Sequence, residues 1–202
     1  MSGLLHFAKD QNVRLNPRFL AAYAQQVSAI SSDPRVSGEA WNVLGNLLDY
    51  RSSLNAKDSP AAHEDFIPGV PHGWEMTARA FLQMKGPGSV TLTYPNRLVP
   101  SDQSFIYEPI GSVPRVGKEG HPFVRITAKG NPMVILDGLR IRNAIFEGVR
   151  IEYDGGPLIM ENTYFVNCTF EVKAPSSPKP AASLREFTKA VLEKVPSSLS
   201  VS

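Results

Sequence analysis

The chain has 202 residues, 42% of them hydrophobic, so it can bury a core of its own and is not a disordered chain. Its 21 basic and 19 acidic residues leave a net charge of +2, which gives no reason to expect nucleic-acid binding. A single cysteine, Cys168, excludes an internal disulfide framework and a zinc site built from paired cysteines. No stretch approaches the ~20 apolar residues of a membrane span, and residues 1–12 lack the features of a signal peptide. We therefore expect a cytoplasmic protein that binds neither membranes nor nucleic acid.

Residues 16–54 are predicted to form two helices. Asn16 can cap the first helix and Pro17 suits its first position, whereas Asp33 and Pro34 interrupt the pattern and Ser37 can cap the second. A helical pair this small is marginal alone, so both apolar stripes are expected to pack on a β region. The predicted stripes are Phe19, Tyr23, Val27 and Ile30, followed by Trp41, Leu44, Leu47 and Leu48.

Residues 55–128 are predicted to form an extended segment followed by short strands. Residues 55–72 are rich in turn formers and predict an extended strap at a domain boundary. Four β-like runs follow, and their spacing fits antiparallel strands and irregular solenoid turns equally well. These runs are residues 74–83, 89–94, 104–110 and 122–128.

Residues 134–172 repeat an apolar side chain every five residues, with one interruption at 154–157, and no helix keeps this period. The repeating positions are Leu136, Ile141, Phe146, Ile151, Met160, Phe165 and Phe170. A second inward candidate precedes each by two places: Val134, Leu139, Ala144, Val149, Leu158, Thr163 and Cys168. Residues that tolerate the backbone angles of tight corners follow five of them: Gly138, Asn143, Gly148, Asn162 and Asn167. The pattern predicts a coiled β-solenoid.

Two fifteen-residue units, 139–153 and 158–172, align without a gap at an offset of 19 residues. If each unit is one three-sided coil, like side chains stack between neighbouring strands. Two coils bury too little core alone, so the helices and the earlier strands are expected to cap them. The predicted pairs are Asn143 with Asn162, Phe146 with Phe165, Val149 with Cys168 and Ile151 with Phe170.

An offset of 24 residues would instead give four-sided coils. It would place Asp137 opposite Glu161 and Glu147 opposite Glu171. Like charges directly across strands are destabilising, so the offset of 19 is preferred.

The units 139–143, 144–148 and 163–167 resemble the repeat of pentapeptide-repeat proteins, with a small or apolar residue, a large central apolar residue and a Gly or polar corner. The resemblance implies a right-handed parallel β-helix and no particular activity. Some members mimic DNA with an acidic surface, but here the outer face mixes both charges, so mimicry is not implied. The mixed charges are Arg140, Arg142, Arg150, Glu147, Glu152 and Glu161.

At the carboxyl end, residues 174–180 are predicted to be a linker and a helix is expected to follow. Ser183 and Glu186 form a capping box, and Pro196 ends the pattern. The residues after Pro196 are expected to fray. The apolar face of this helix is Leu184, Phe187, Val191 and Val195.

The predicted fold class is therefore mainly β, with an N-terminal helical pair, a short right-handed parallel β-helix and a C-terminal helix. The predicted divisions are residues 1–56, 57–130, 131–173 and 174–202.

The sequence shows no catalytic constellation. His6, His63, His72 and His121 form no closely spaced ligand pair, and the cluster of His63, Glu64 and Asp65 reads as solvated residues of the strap. Cys168 is predicted to be buried inside the coil and inert. Residues 85–89 lack the order of a phosphate loop and predict a turn. We predict no catalytic, cofactor-binding or metal-binding residue.

Two features of the outer face suggest different functions. Asp137, Asp154 and Glu161 suggest an enzyme or binder of carbohydrates or small molecules, together with His121, provided that two carboxylates converge. Outward apolar side chains need cover from the chain itself or from another subunit. These outward residues are Ile135, Ile145, Ile159 and Tyr164.

The preferred prediction is a non-enzymatic interaction or structural module that self-associates through the β-helix, with a protein partner or a homo-oligomer as its assembly. The alternative is the enzyme or binder that uses the outer-face carboxylates.

Overall fold

The described part of the chain forms four helices and eleven strands in two sheets. The computed structural model describes residues 2–11, 13–31, 33, 35, 37–55, 74–77, 83–94, 106–110, 123–193 and 196–202. The helices are α1 (Ser2–Asp10), α2 (Pro17–Ile30), α3 (Ser37–Leu54) and α4 (Pro178–Glu193). The strands are β1 (Trp74–Thr77), β2 (Met84–Lys85), β3 (Gly88–Tyr94), β4 (Ile106–Pro109), β5 (Val124–Gly130), β6 (Met133–Ile135), β7 (Leu139–Glu147), β8 (Arg150–Glu152), β9 (Leu158–Val166), β10 (Thr169–Glu171) and β11 (Ser197–Val201).

The two predicted helices, α2 and α3, are present. The side chain of Asn16 accepts the N–H of Arg18 at 2.9 Å, and Pro17 is the first residue of α2, as predicted. α3 begins at Ser37. The predicted stripe of α3 is confirmed, since its four side chains are at most 1% exposed. These are Trp41, Leu44, Leu47 and Leu48.

The predicted stripe of α2 is confirmed only in part. Val27 is buried and Tyr23 packs against the core, as predicted. Phe19 and Ile30 are instead 42% and 53% exposed, and Leu20 and Ala24 complete the buried face. Both sets recur at helical spacing, so α2 carries two overlapping apolar stripes. Packing against α3 decides which of them faces the core.

The larger sheet has the strand order β1-β3-β5-β7-β9-β11, and β4 also pairs with β7. In it β5, β7 and β9 run parallel, whereas β1, β3, β4 and β11 pair antiparallel with their neighbours. The smaller sheet has the order β10-β8-β6-β2, of which only β2 is antiparallel. The runs before residue 130 that the structure describes are thus antiparallel strands, with the exception of the parallel pairing of β5 with β7.

The predicted 19-residue register is confirmed. β7 pairs with β9 so that Phe146 lies opposite Phe165, and Ile151 lies opposite Phe170 in the smaller sheet. The two rings of the first pair stack with centroids 5.4 Å apart. Every side chain of the two predicted inward sets is buried.

The predicted corners are also confirmed. Asn143, Asn162 and Asn167 have φ between 49° and 54°, and Gly138 and Gly148 have φ of 78° and 63°. A residue with positive φ adds one residue to the in-and-out alternation of a strand. Buried positions are therefore two residues apart within a strand and three residues apart across a corner. Together these two spacings give the five-residue period.

The predicted fold class is nevertheless wrong. The chain has a mixed α/β fold with four helices and two sheets, and within the described residues the sheets are neither closed nor curled into a solenoid. The parallel pairings that the repeat specifies lie in the middle of the larger sheet and join three of the four strands of the smaller one. Antiparallel strands from outside the repeat extend both sheets, because a pair of units leaves edges that must be covered.

The carboxyl-terminal region also differs from its prediction. α4 begins at Pro178, within the predicted linker, and Ser183 lies in its second turn, where the hydroxyl donates to the carbonyl of Lys179 at 3.3 Å. Ser183 is therefore not a cap. The residues that were expected to fray form β11, which pairs antiparallel with β9. Val195 lies outside the described residues. The buried face of α4 includes Leu184, Phe187 and Val191, as predicted.

One hydrophobic core joins the helices to both sheets. The ring of Phe187 in α4 lies 6.1 Å from Phe165 in β9 and 6.1 Å from Phe170 in β10, measured between centroids, and 4.8 Å from Tyr153. α4 thus covers the core beside β9 and β10. The predicted packing against the β region is confirmed for α3, which contacts β9 and β10, whereas α2 packs against α3 and α4.

Candidate functional site

Cys168 is buried and chemically protected. It is fully buried, its thiol lies 3.2 Å from the carbonyl oxygen of Phe146, and burial raises its pKa to about 12. A thiol with such a pKa carries almost no thiolate at neutral pH and is a poor nucleophile. The predicted inert core cysteine is confirmed.

Residues 85–89 form a turn, as predicted. Gly86 and Pro87 connect β2 to β3, and the N–H of Asn131 donates to the carbonyl of Pro87 at 3.2 Å. A strand and no helix follows this turn, so the N–H groups of a helix start are not available to a phosphate here.

Of the three acids that sequence analysis singled out, Asp137 and Asp154 lie beside each other, whereas Glu161 belongs to a separate ion pair. Glu161 pairs with Arg142 through two hydrogen bonds of 2.8 and 3.2 Å on the larger sheet. Asp137 instead accepts the N–H of Asp154 at 3.0 Å and of Gly156 at 2.5 Å. The side chain of Asp137 thus holds the 154–156 loop in place. Of the three acids, Asp154 is therefore the remaining candidate for a chemical role.

The outer surface of the smaller sheet is a ladder of charges. Glu152 lies directly opposite Glu171, a like-charge pair of the kind that served to reject the offset of 24. The buried carboxylate of Glu152 pairs with Lys85, and Glu171 pairs with Arg150 at 3.4 Å and Lys173 at 3.0 Å. The cations Lys85, Arg150 and Lys173 therefore offset the repulsion between Glu152 and Glu171. Aligning the two repeat units alone could not reveal Lys85, which lies outside the repeat.

The outward apolar residues are largely covered within the chain. Ile145 and Tyr164 are buried in a second cluster with Phe123 and Val166, and the rings of Phe123 and Tyr164 meet edge to face at 5.2 Å. Ile135 and Ile159 are half-buried. This surface of the larger sheet is therefore not an open apolar patch.

The exposed large apolar side chains of the described residues all lie in the first thirty positions. They are Leu4, Phe7, Val13, Phe19 and Ile30, with exposed fractions of 42% to 60%. We call them the N-terminal apolar surface. Scattered exposed leucines are normal in proteins, but five large apolar residues confined to two short helices and their connection make this region the candidate binding surface among the described residues.

α3 holds this surface in place. α1 and α2 both pack against α3, and the hydroxyl of Tyr50 in α3 accepts the N–H of Leu15 at 2.7 Å and donates to the carbonyl of Val13 at 2.6 Å. The connection between α1 and α2 is thereby fixed to the core. The exposed side chains therefore lie on helices that are attached to the core through α3.

α2 also borders a groove on its other side. The groove has a volume of about 480 Å³ and lies between α2 and α4. Small side chains of α2 form one wall, and charged side chains of α4 form the other. The main lining residues are Ala21, Ala24, Ser28, Arg185, Glu186 and Lys189.

Sequence reasoning placed the exposed stripe of α2 in the core and did not predict α1 or β11. One signal was available for α2, since Arg18 is its single charged residue and leaves it no charged face to turn toward water. The predicted strap after Asn55 lies outside the described residues, and with it the cluster of His63, Glu64 and Asp65. His72, His121 and the side chain of His6 lie outside them as well.

Comparisons with known proteins found nothing similar: no family model matches the chain, and no curated protein or solved structure matches it either. The resemblance to pentapeptide-repeat proteins therefore stays an expectation. Among the described residues, no three His, Cys, Asp or Glu side chains are grouped to hold a metal ion. None of the helices that the structure describes is long and apolar enough to cross a membrane.

Proposed function

We propose that the protein is a non-enzymatic structural module that self-associates through its N-terminal apolar surface. The observation that carries the proposal is the confinement of all exposed large apolar side chains of the described residues to α1, α2 and their connection. Covering such side chains removes apolar area from water and favours association.

The charges of this region fit a second copy of the chain as the occupant. The charged residues of this region are few: α1 ends with Lys9 and Asp10, the connection contains Arg14, and α2 contains Arg18. The whole chain carries a net charge of +2. Two copies can therefore approach without strong mutual repulsion. An isologous contact about a two-fold axis would place the same apolar side chains on both sides of the interface.

Sedimentation velocity across a dilution series tests the proposal. The wild-type chain is expected to associate, whereas the double variant Phe7→Glu, Phe19→Glu is expected to lose this contact, because each buried carboxylate would lack a partner. Both substituted positions are exposed in the monomer, so the variant should fold as the wild type does.

Ala182→Glu is the matched control, since it places the same carboxylate on an exposed position of α4. It should associate like the wild type. Identical sedimentation of the wild type and the Phe7→Glu, Phe19→Glu variant at every concentration would refute the proposal.

A second candidate function is a carbohydrate or small-molecule enzyme or binder that uses the acids beside the smaller sheet. One observation favours it: Asp154 is exposed, and partial loss of hydration together with Glu152 and Asp137 raises its pKa. A raised carboxyl pKa suits a general acid. A panel of oligosaccharides tested by thermal shift with the wild type and Asp154→Asn decides this candidate, which fails if no ligand distinguishes the two proteins.

A further inference from the structure

The last strands of the two sheets end in different ways. β10 ends the smaller sheet and β11 ends the larger one. An uncovered edge strand presents unpaired N–H and C=O groups that can pair with another chain, so proteins usually block such edges.

The β10 edge is blocked by α3. The N–H of Phe170 donates to the carboxylate of Asp49 at 2.7 Å, and the N–H of Cys168 donates to the hydroxyl of Ser52 at 2.8 Å. The helix comes so close that a Cβ atom on Gly45 would lie 3.3 Å from the carbonyl oxygen of Phe170. No further strand can be added at this edge.

The β11 edge lacks these devices. In the described part of the chain, residues 198–201 make hydrogen bonds to β9 and to no other element. The strand SSLSV contains no lysine, no proline and no charge, which are common means of blocking an edge. Its one irregularity is a register shift between Ser197 and Leu199, after which residues 199–201 pair with β9 without interruption. Leu199 and Val201 pack against the core but remain half-exposed, so a neighbouring strand would cover them further.

We propose that β11 is a pairing site for β11 of a second copy, antiparallel about a two-fold axis, which joins the larger sheets of two chains. The absence of charge in β11 fits this occupant, because no like charges would face each other across the axis. The site uses none of the residues of the N-terminal apolar surface. With both contacts the assembly grows beyond two chains, and each contact can be removed separately.

The test isolates β11 in the Phe7→Glu, Phe19→Glu background, in which the other contact is lost. This variant is expected to form a dimer in sedimentation velocity at high concentration. Adding Ser200→Lys should weaken the dimer by at least about tenfold, because a lysine on an edge strand opposes pairing. Ser200 is exposed, and the matched control Ser176→Lys adds the same charge to an exposed serine outside both sheets and should leave the dimer intact.

A second readout does not depend on the lysine variant. Because Cys168 is buried, Ser200→Cys introduces an accessible thiol. A short bifunctional thiol reagent should link two copies of this variant but not of Ser176→Cys. Hydrogen exchange of residues 198–201 should also slow as the protein concentration rises.

The outcomes separate the two proposals. A Phe7→Glu, Phe19→Glu variant that stays monomeric at all concentrations, or a dimer that Ser200→Lys leaves unchanged, overturns pairing through β11. Growth of the Phe7→Glu, Phe19→Glu variant into long polymers overturns the closed two-fold contact through β11. If Ser200→Lys weakens association but Phe7→Glu, Phe19→Glu does not, the N-terminal contact is overturned and the β11 contact is supported.

Discussion

The edges formed by β10 and β11 belong to neighbouring parts of one core but are completed differently. At β10, side chains of α3 accept the N–H groups of the strand, and the helix excludes any further strand. At β11, the edge is uncharged and no described element blocks it. The difference teaches that one core can cover the edge of one sheet with a helix and leave the last strand of the other sheet without such a cover among the described residues.

The largest expected effect removes a side chain that contacts both sheets beside these edges. Phe187→Ala should lower the free energy of unfolding by about 3–5 kcal/mol, since its fully buried ring contacts the last strand of the repeat in each sheet. Urea unfolding followed by circular dichroism measures it. A loss below about 1 kcal/mol would contradict the packing of α4 between the two sheets.

A smaller change should open the β10 edge alone. Ser52→Ala leaves the buried N–H of Cys168 without its acceptor and should cost about 1–3 kcal/mol. Labelling of Cys168 by a thiol reagent should become faster, while hydrogen exchange of β11 stays unchanged. Ser53→Ala is the control, because Ser53 bonds the carbonyl of Tyr50 within its own helix. Equal labelling rates in the two variants would argue against the role of α3 as the cover of β10.

A pH-dependent effect should appear in the loop beside the smaller sheet. The pKa of Asp154 is raised by lost hydration and by Glu152 and Asp137, while Lys85 and Lys173 oppose the shift. The folded protein therefore holds this proton more tightly than the unfolded chain, so the contribution of Asp154 to stability falls as pH rises through its unfolded and folded pKa values.

Asp154→Asn removes that loss. Its melting temperature should exceed that of the wild type at pH 7, and the difference should shrink toward pH 3, where the carboxyl is protonated in both states. Differential scanning calorimetry at the two pH values measures this. A difference that grows on acidification would show that the shift has the opposite sign.

The smallest expected effect concerns the strand that shares an edge of β7 with β5. The hydroxyl of Tyr107 in β4 is buried and has no hydrogen-bond partner in the described part of the chain. Tyr107→Phe should therefore raise the free energy of unfolding by about 1 kcal/mol, whereas removing a paired hydroxyl usually lowers it. Urea unfolding measures the change, and a loss of stability would reveal a partner for this hydroxyl.

Much of the repeat could be predicted because its signals are local. Asn143 and Asn162 identify positive backbone angles by residue type, and the alternation between corners identifies the buried positions. The aligned units then specify the pairing of β7 with β9. The helix start at Asn16 and Pro17 is local in the same sense.

The candidate surfaces could not be predicted in this way. α2 has two apolar stripes, and only the position of α3 decides that Phe19 stays outside while Leu20 is buried. The sequence of β11 by itself is that of a polar tail, and it forms a strand because it pairs with β9. Glu152 and Glu171 are tolerated opposite each other because Lys85, distant in the sequence, reaches the first of them.

By itself the sequence determined the corners, the buried positions and the 19-residue register of residues 134–172, because backbone preference and side-chain alternation act between near neighbours. Only the tertiary structure decided that these strands join two open sheets in a mixed α/β fold and not a β-helix. It also decided which face of α2 is exposed and which edge is covered. Those outcomes depend on contacts between residues far apart in the chain, and local preference is too weak to choose among them.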